Sequence, residues 1–306
     1  MLDFRPITID DRDWVRSLTK CEFSRSADTS FGAIYLWGAG SKRLVANCHG
    51  RMVMMMRNHE GAPLFLFPYG CGSLVPVIEE MKEYCDAKRV PLRIYGISAI
   101  HLPLLEKLFP GKFKIVRERR YDDYVYSAEK LSTLSGKALH SKRNHINSFE
   151  NTYKDWRFEP LKKDHIPMCI ELMDQWREAD PEHVEGDVFD EYDALLLALE
   201  QFKALDMHGG ILWAGGEAVA FTLGEWLCND TFVVHFEKAR SDIRGAYPMI
   251  NREFVRHIMQ IYPEIQYINR EDDMGLENLR KAKESYKPVM MVEKYTAVWE
   301  YEGQEL

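Results

Sequence analysis

The stretch from Thr231 to Met259 constrains this chain more than any other, because it reads as a strand, a loop around Gly245 and a helix. Thr231 to Phe236 is dense in β-branched and aromatic residues, the composition of a strand packed on both faces. Arg240, Arg244 and Gly245 fall in the loop that follows. Tyr247-Pro248 then opens a helix in which Ile250, Phe254, Ile258 and Ile261 recur at helical spacing, with Pro248 in the first turn. A glycine loop that feeds a strand into a helix N-terminus turns backbone N–H groups and the positive end of the helix dipole outward, which suits an anionic group. An ordinary βα turn that binds nothing carries the same pattern, so the stretch fixes an α/β element before it fixes a ligand.

At 306 residues and 46% hydrophobic content the chain has material for two domains. No run approaches the roughly 18 apolar residues of a membrane span, and no charged-then-apolar signal begins the chain, so a cytoplasmic location is expected. The six cysteines show no CxxC pair and no histidine at metal spacing, so neither a disulfide framework nor a metal site is expected. Cys71, between Gly70 and Gly72, is the one thiol to consider as a nucleophile. A net charge of −8 argues against a protein that coats nucleic acid, and no DNA partner is expected. Between Lys112 and Lys163, however, 13 Lys or Arg stand against 7 Asp or Glu. A local basic segment of this kind fits a local anionic ligand or a solvated basic surface.

The order of elements repeats. Residues 1–130 read as a first helix after Asp10, a hairpin around His49-Gly50, a strand at Pro63 to Phe67, the glycine loop Pro68 to Ser73 and a helix from Leu74 to Lys88. A strand from Leu92, a helix at Leu102 to Leu108 and strands near Phe113 to Val116 and Tyr121 to Tyr126 complete this half. From Trp156 the series returns: helices at Ile166 to Ala179 and Val188 to Leu205, a hairpin at Gly215-Gly216, then the strand, loop and helix described first. A strand at Gln266 to Asn269, a helix at Leu276 to Tyr286 and a last strand at Val289 to Trp299 follow. Residues 1–130 and 155–306 thus read as two copies of one α/β unit with mixed sheets, joined by residues 131–154. The joining segment reads as a helix with Leu139, Ile146, Phe149 and Tyr153 on one face and Lys137, His140, Ser141, Asn144 and Ser148 on the other. Lys142 falls among the apolar positions, which predicts a buried stem and a snorkelling ammonium.

The carboxylates point to acid–base chemistry. Glu225 and Glu237 lie on neighbouring strands and need only burial to serve as a general base. Asn269-Arg270-Glu271-Asp272-Asp273-Met274-Gly275 stands at the carboxyl end of a strand, where open α/β sheets place ligands. There Asp272 or Asp273 caps the next helix, or Glu271 and Asp272 hold a cationic acceptor. That helix sets Arg280, Lys281, Lys283 and Lys287 on one side, and Tyr286 occupies an apolar position before Pro288.

This arrangement resembles the GNAT-fold acyltransferases. More closely, Arg143 to Phe149, Phe236 to Ala239 with Gly245-Ala246-Tyr247, Asn269 to Gly275, and Leu279 to Lys283 with Tyr286 resemble a bacterial family sharing the C-terminal tandem-GNAT domain of phosphatidylglycerol lysyltransferases, relatives of the Fem-type aminoacyltransferases. The resemblance implies a tandem GNAT-like fold and an enzyme that moves an acyl or aminoacyl group from acyl-CoA or aminoacyl-tRNA to an amine or hydroxyl acceptor, with the donor as co-substrate and no tightly bound cofactor. It implies Tyr286 as proton donor to the leaving group, and Glu237, or a water it orients, is the expected base. Lys137, Arg143, Asn144, Arg244, Gly245, Ala246 and Lys283 are the donor-binding candidates, and Asn269, Glu271 and Asp272 the acceptor-binding ones. Lys137, Arg143 and Arg244 are expected to bound one anion-lined cleft. Two departures stand out: Asp242 and Tyr247 occupy loop positions where GNAT enzymes carry Arg or Gln and Gly or Ala, which leaves room for an aminoacyl-tRNA donor, and no counterpart of the lysyltransferases' membrane portion is read, which argues against a lipid acceptor. The alternative is a non-catalytic ligand-binding protein that keeps the fold.

Overall fold

The computed structural model describes residues 2–40, 43–58, 60–179 and 191–301. Its strands are β1 (Arg5–Pro6), β2 (Leu44–Cys48), β3 (Arg51–Arg57), β4 (Pro63–Leu66), β5 (Leu92–Ser98), β6 (Lys114–Arg117), β7 (Asp123–Ser127), β8 (Arg157–Pro160), β9 (His208–Ala214), β10 (Glu217–Cys228), β11 (Thr231–Ala239), β12 (Tyr267–Asn269), β13 (Met290–Val292) and β14 (Lys294–Trp299). Its helices are α1 (Arg12–Thr19), α2 (Phe31–Gly40), α3 (Leu74–Asp86), α4 (Leu102–Leu108), α5 (Ala128–Thr133), α6 (His140–Thr152), α7 (Ile166–Ala179), α8 (Glu191–Glu200), α9 (Ala246–Ile261) and α10 (Glu277–Glu284). The first residues of the helix expected from Val188 lie outside the described residues.

Two seven-stranded sheets run β1-β2-β3-β4-β5-β14-β6 and β8-β9-β10-β11-β12-β7-β13. Over their first six positions they coincide in strand sense. The first four strands of each are antiparallel, the fourth and fifth are parallel, and the fifth and sixth are antiparallel. A helix crosses each parallel pair, α3 in one and α9 in the other. The repeated order of elements in the sequence is therefore a repeat of mixed α/β sheets.

The sixth strand of each sheet comes from the other half of the chain. One unit consists of the residues up to Asp123 together with those from Val292 onward, and the other spans Tyr124–Met291. The sequence places the divisions at 130 and 155 and keeps the last strand with the second half. In the structure the chain enters the second unit with β7, the segment 131–154 lies inside that unit, and the strand read at Val289 to Trp299 divides around Glu293 into β13 and β14. Apolar alternation marks a strand without stating which sheet receives it.

In the first unit the glycine loop is filled by its own neighbours. Arg51 donates to the carbonyls of Pro68 and Gly72, and Glu22 accepts from the Gly70 N–H. Cys71 is disulfide-bonded, which withdraws it as a nucleophile. Cys48, His49 and Glu80 bring three metal-competent atoms within 4.8 Å of one another, a grouping that cysteine spacing did not reveal.

In the second unit α9 lays Phe254, Val255 and Ile258 on Phe232 and Val234 of β11. Its Met249 and Ile250 meet Leu139, Ile146 and Phe149 from the α6 segment, the stripe expected there. Each such side chain contributes about 1.5–3 kcal/mol on burial, so the loop between β11 and α9 is held from both ends. Among the described residues no helix is long and apolar enough to cross a membrane.

Candidate active site

β11 and β12 separate where the site forms. They pair in parallel only from Thr231–Val233 against Tyr267–Asn269, after which β11 runs on to Ala239 without β12. At the same level the register with β10 shifts: Leu223 faces Phe236 and Gly224 faces Val234, so His235 is an extra residue, a β-bulge. Gly224 is needed there, since a Cβ would lie 2.2 Å from the Val233 carbonyl oxygen. The side chains that follow β12 reach across to β11.

His235 is the first such meeting point. Its imidazole is buried, with Nδ1 2.7 Å from Glu271 and Nε2 3.1 Å from Glu225. Burial pushes a histidine down, but the two carboxylates outweigh it and hold His235 up at about 10, an imidazolium between two acids.

Glu237 is the second. Its oxygens accept from Asn251 at 3.0 Å and from Arg270 at 2.8 Å, with the side chains of Glu237 and Arg270 only 6% and 13% exposed. The Arg270 guanidinium lies 5.0 Å from the centroid of Tyr286 and 5.8 Å from that of Tyr126. The Lys142 ammonium, from α6, sits 3.9 Å from the Tyr286 centroid. Burial, with Arg270 nearby, draws Lys142 down to about 8. Burial also pushes the Tyr286 hydroxyl up, which keeps it protonated. The two catalytic candidates of the sequence, Glu237 and Tyr286, are thus brought together through Arg270.

The other candidates are placed differently. Arg143 donates to the carbonyls of Leu134 and Gly136, so it anchors the entry to α6 and does not line the cleft expected with Lys137 and Arg244. Lys137 is exposed in a short turn before α6. Asn144 lies beside His140 at 3.3 Å. Arg244 reaches His145 of α6 at 3.4 Å. Gly245 has φ +92°, and a Cβ there would lie 2.4 Å from the His145 carbonyl oxygen, so the glycine serves a close helix contact. Ala246 is buried core. Lys283 donates to the carbonyls of Arg270 and Asp272, pinning the acidic loop in place of a phosphate.

The acidic run is likewise engaged. Asn269 accepts from the Glu271 N–H, Glu271 holds His235, and Asp272 accepts from the Met274 N–H. Asp273 is the buried anchor. Burial raises its carboxyl, but Arg280, Tyr124 and the Gly275 N–H more than reverse this and bring it to about 2. The residues that sequence reasoning missed are His235, Asn251, Lys142 and Arg270. A lysine on an apolar helix face and a histidine in an apolar strand were the available signals.

A family model described as phosphatidylglycerol lysyltransferase, C-terminal, matches residues 22–298. A conserved protein of unknown function from Bacteroides thetaiotaomicron is 37% identical, covering 98% of this chain and 100% of its own, with a TM-score of 0.91. The C-terminal domain of a putative lysylphosphatidylglycerol synthetase from Agrobacterium fabrum, 13% identical over 95% of this chain and 93% of that one, has the same fold at a TM-score of 0.67. An uncharacterised protein of Mycoplasmoides gallisepticum is 25% identical over 181 residues, 56% of this chain and 54% of the relative, so the match spans about half the length of that curated relative. The architecture is a tandem GNAT-like acyltransferase fold, as the resemblance implied.

Proposed function

The chain belongs to the phosphatidylglycerol lysyltransferase C-terminal family, and on that premise we propose that its second unit transfers an aminoacyl group from an activated ester to an amine or hydroxyl acceptor. The observation that carries this reading is the group of Lys142, Arg270 and Tyr286 beside the separation of β11 and β12. Cations there can hold an anionic part of a substrate and set its ester carbonyl beside the Tyr286 hydroxyl as the acceptor attacks. The ester carbon–oxygen bond then breaks, and the leaving oxygen takes a proton from the Tyr286 hydroxyl, which burial keeps protonated. The proton released by the acceptor restores the tyrosine. Glu237, with both oxygens already accepting, fits the holding of Arg270 better than proton abstraction.

An aminoacyl ester such as aminoacyl-tRNA is favoured over acyl-CoA. The Gly245 loop, where a diphosphate would sit, faces the His145 carbonyl, and its Asp242 is paired with Arg240. The loop is thus closed against α6, and Arg240, its nearest cation in sequence, is already taken by Asp242 and Glu217, which leaves little to hold a diphosphate. The reading is tested by incubating the chain with a pool of charged tRNAs and, separately, with acetyl-CoA and longer acyl-CoAs, following loss of the activated bond in the presence of lysine-like amines and glycerol lipids. Consumption of the tRNA ester alone is the expected result. Consumption of acyl-CoA alone would overturn the choice of donor.

A second reading, ligand binding without turnover, is favoured by one feature: both candidate bases, Glu225 and Glu237, are already paired with His235 and Arg270. Saturable binding of charged tRNA with no ester loss would select it.

A further inference from the structure

Two buried or half-buried cations beside Tyr286 have donors that the described residues leave unsatisfied. Arg270 gives Nη2 to Glu237, and its guanidinium bears on the Tyr286 hydroxyl, but its buried Nη1 makes no hydrogen bond of good geometry. Lys142 donates to no carboxylate or carbonyl among the described residues, and its ammonium rests on the ring of Tyr286. Contact with an aromatic face returns far less than the hydration an ammonium gives up in such a place. Among the described residues Glu237 is the one carboxylate whose charge bears on Lys142, and its oxygens are taken by Asn251 and Arg270. Arg270 acts on Lys142 in the opposite sense. Among the described residues this group therefore sets two positive charges against one negative. Buried charges are ordinarily paired, and the donors here are of the two kinds that bind phosphate, a guanidinium edge and a point ammonium.

We propose that Lys142 and Arg270 together form a phosphate-binding site beside the Tyr286 ring, taking the phosphate of a nucleotide end or of a glycerophosphate headgroup. A phosphate oxygen would accept from Nη1 of Arg270 and another from Nζ of Lys142, which supplies the missing partner to each and brings the local charge to balance. The site differs from the glycine loop where the sequence places anion binding. It rests on the transferase reading for which molecule delivers the phosphate, and not for whether phosphate binds.

The test uses the full chain and binding alone. Inorganic phosphate, AMP, glycerol 3-phosphate and acetate are titrated calorimetrically into the parent, Lys142→Met and Lys142→Arg, each checked for an unchanged thermal transition of the second unit. The three phosphates are expected to bind the parent in preference to acetate. Lys142→Met should lose at least tenfold in affinity, and Lys142→Arg should retain most of it. AMP above glycerol 3-phosphate identifies a nucleotide end, and the reverse order a lipid headgroup; either supports the site. Equal affinity of parent and Lys142→Met for every probe, or acetate binding as tightly as phosphate, would overturn it. Phosphate binding without any ester turnover would instead refute the transferase reading and leave this site standing.

Discussion

Replacing Glu237 by Gln keeps the shape of the side chain and removes its charge, leaving the Arg270 guanidinium buried without a counter-ion. The pair is 2.8 Å apart and its side chains are 6% and 13% exposed, so solvent screens it little. At an effective dielectric constant near 20, unit charges about 4 Å apart attract by about 4 kcal/mol. Removing one member of such a buried pair costs about 3–5 kcal/mol, because the other charge remains desolvated. For a unit of this size that corresponds to a fall of about 6–20 °C in the transition temperature of the second unit, at roughly 2–4 °C per kcal/mol. Differential scanning calorimetry of the full chain reads the transition, and hydrogen exchange of the β11 and α9 amides assigns it to that unit. The double variant Glu237→Gln/Arg270→Met removes both charges and should recover part of the loss. If Glu237→Gln melts within 1–2 °C of the parent, or if the double variant loses the sum of the two single effects, Arg270 is not held by Glu237 and the site as described is wrong.

Two further outcomes follow from named groups. His235 is held at about 10, above its ordinary 6.5, so its stabilising contribution is complete below pH 6.5 and is lost as pH rises through 10. The second unit should therefore weaken between pH 7 and 10, on the order of 4 kcal/mol if the pair is intact. His235→Asn should flatten that dependence, and an unchanged pH slope would show the imidazolium is not there. Gly245→Ala places a Cβ against the His145 carbonyl in a left-handed backbone conformation. It should destabilise by more than about 1 kcal/mol, read as a lowered transition temperature, whereas a neutral effect would mean α6 does not pack on the loop.

The sequence made the local pieces of this fold readable and left their long-range pairing hidden. β11, the Gly245 loop and α9 follow from strand composition and helical spacing, and α4 was delimited at Leu102 to Leu108 as found. The exchange of β7 and β14 was not readable, because a strand's apolar alternation is the same whichever sheet accepts it. At the site, Glu237 and Tyr286 were legible as a carboxylate on a central strand and a tyrosine after the last helix. Their connection was not, since Arg270 is 33 residues from Glu237 and joins it only once β12 lies beside β11. Arg143 and Lys283 read as phosphate ligands from charge alone, yet the folded chain spends both on backbone carbonyls. Helical spacing predicts only a snorkelling Lys142, because it cannot show that Tyr286, 144 positions later, lies under its ammonium.

The central claim is that acyl transfer occurs beside Tyr286, and single-turnover ester loss by Tyr286→Phe measures it most directly. The variant removes only the hydroxyl and keeps the ring on which Lys142 rests. With charged tRNA as donor, the rate should fall by roughly 10²–10⁴ while donor affinity, measured in parallel, stays within about twofold. Ester loss at the parent rate would contradict the account.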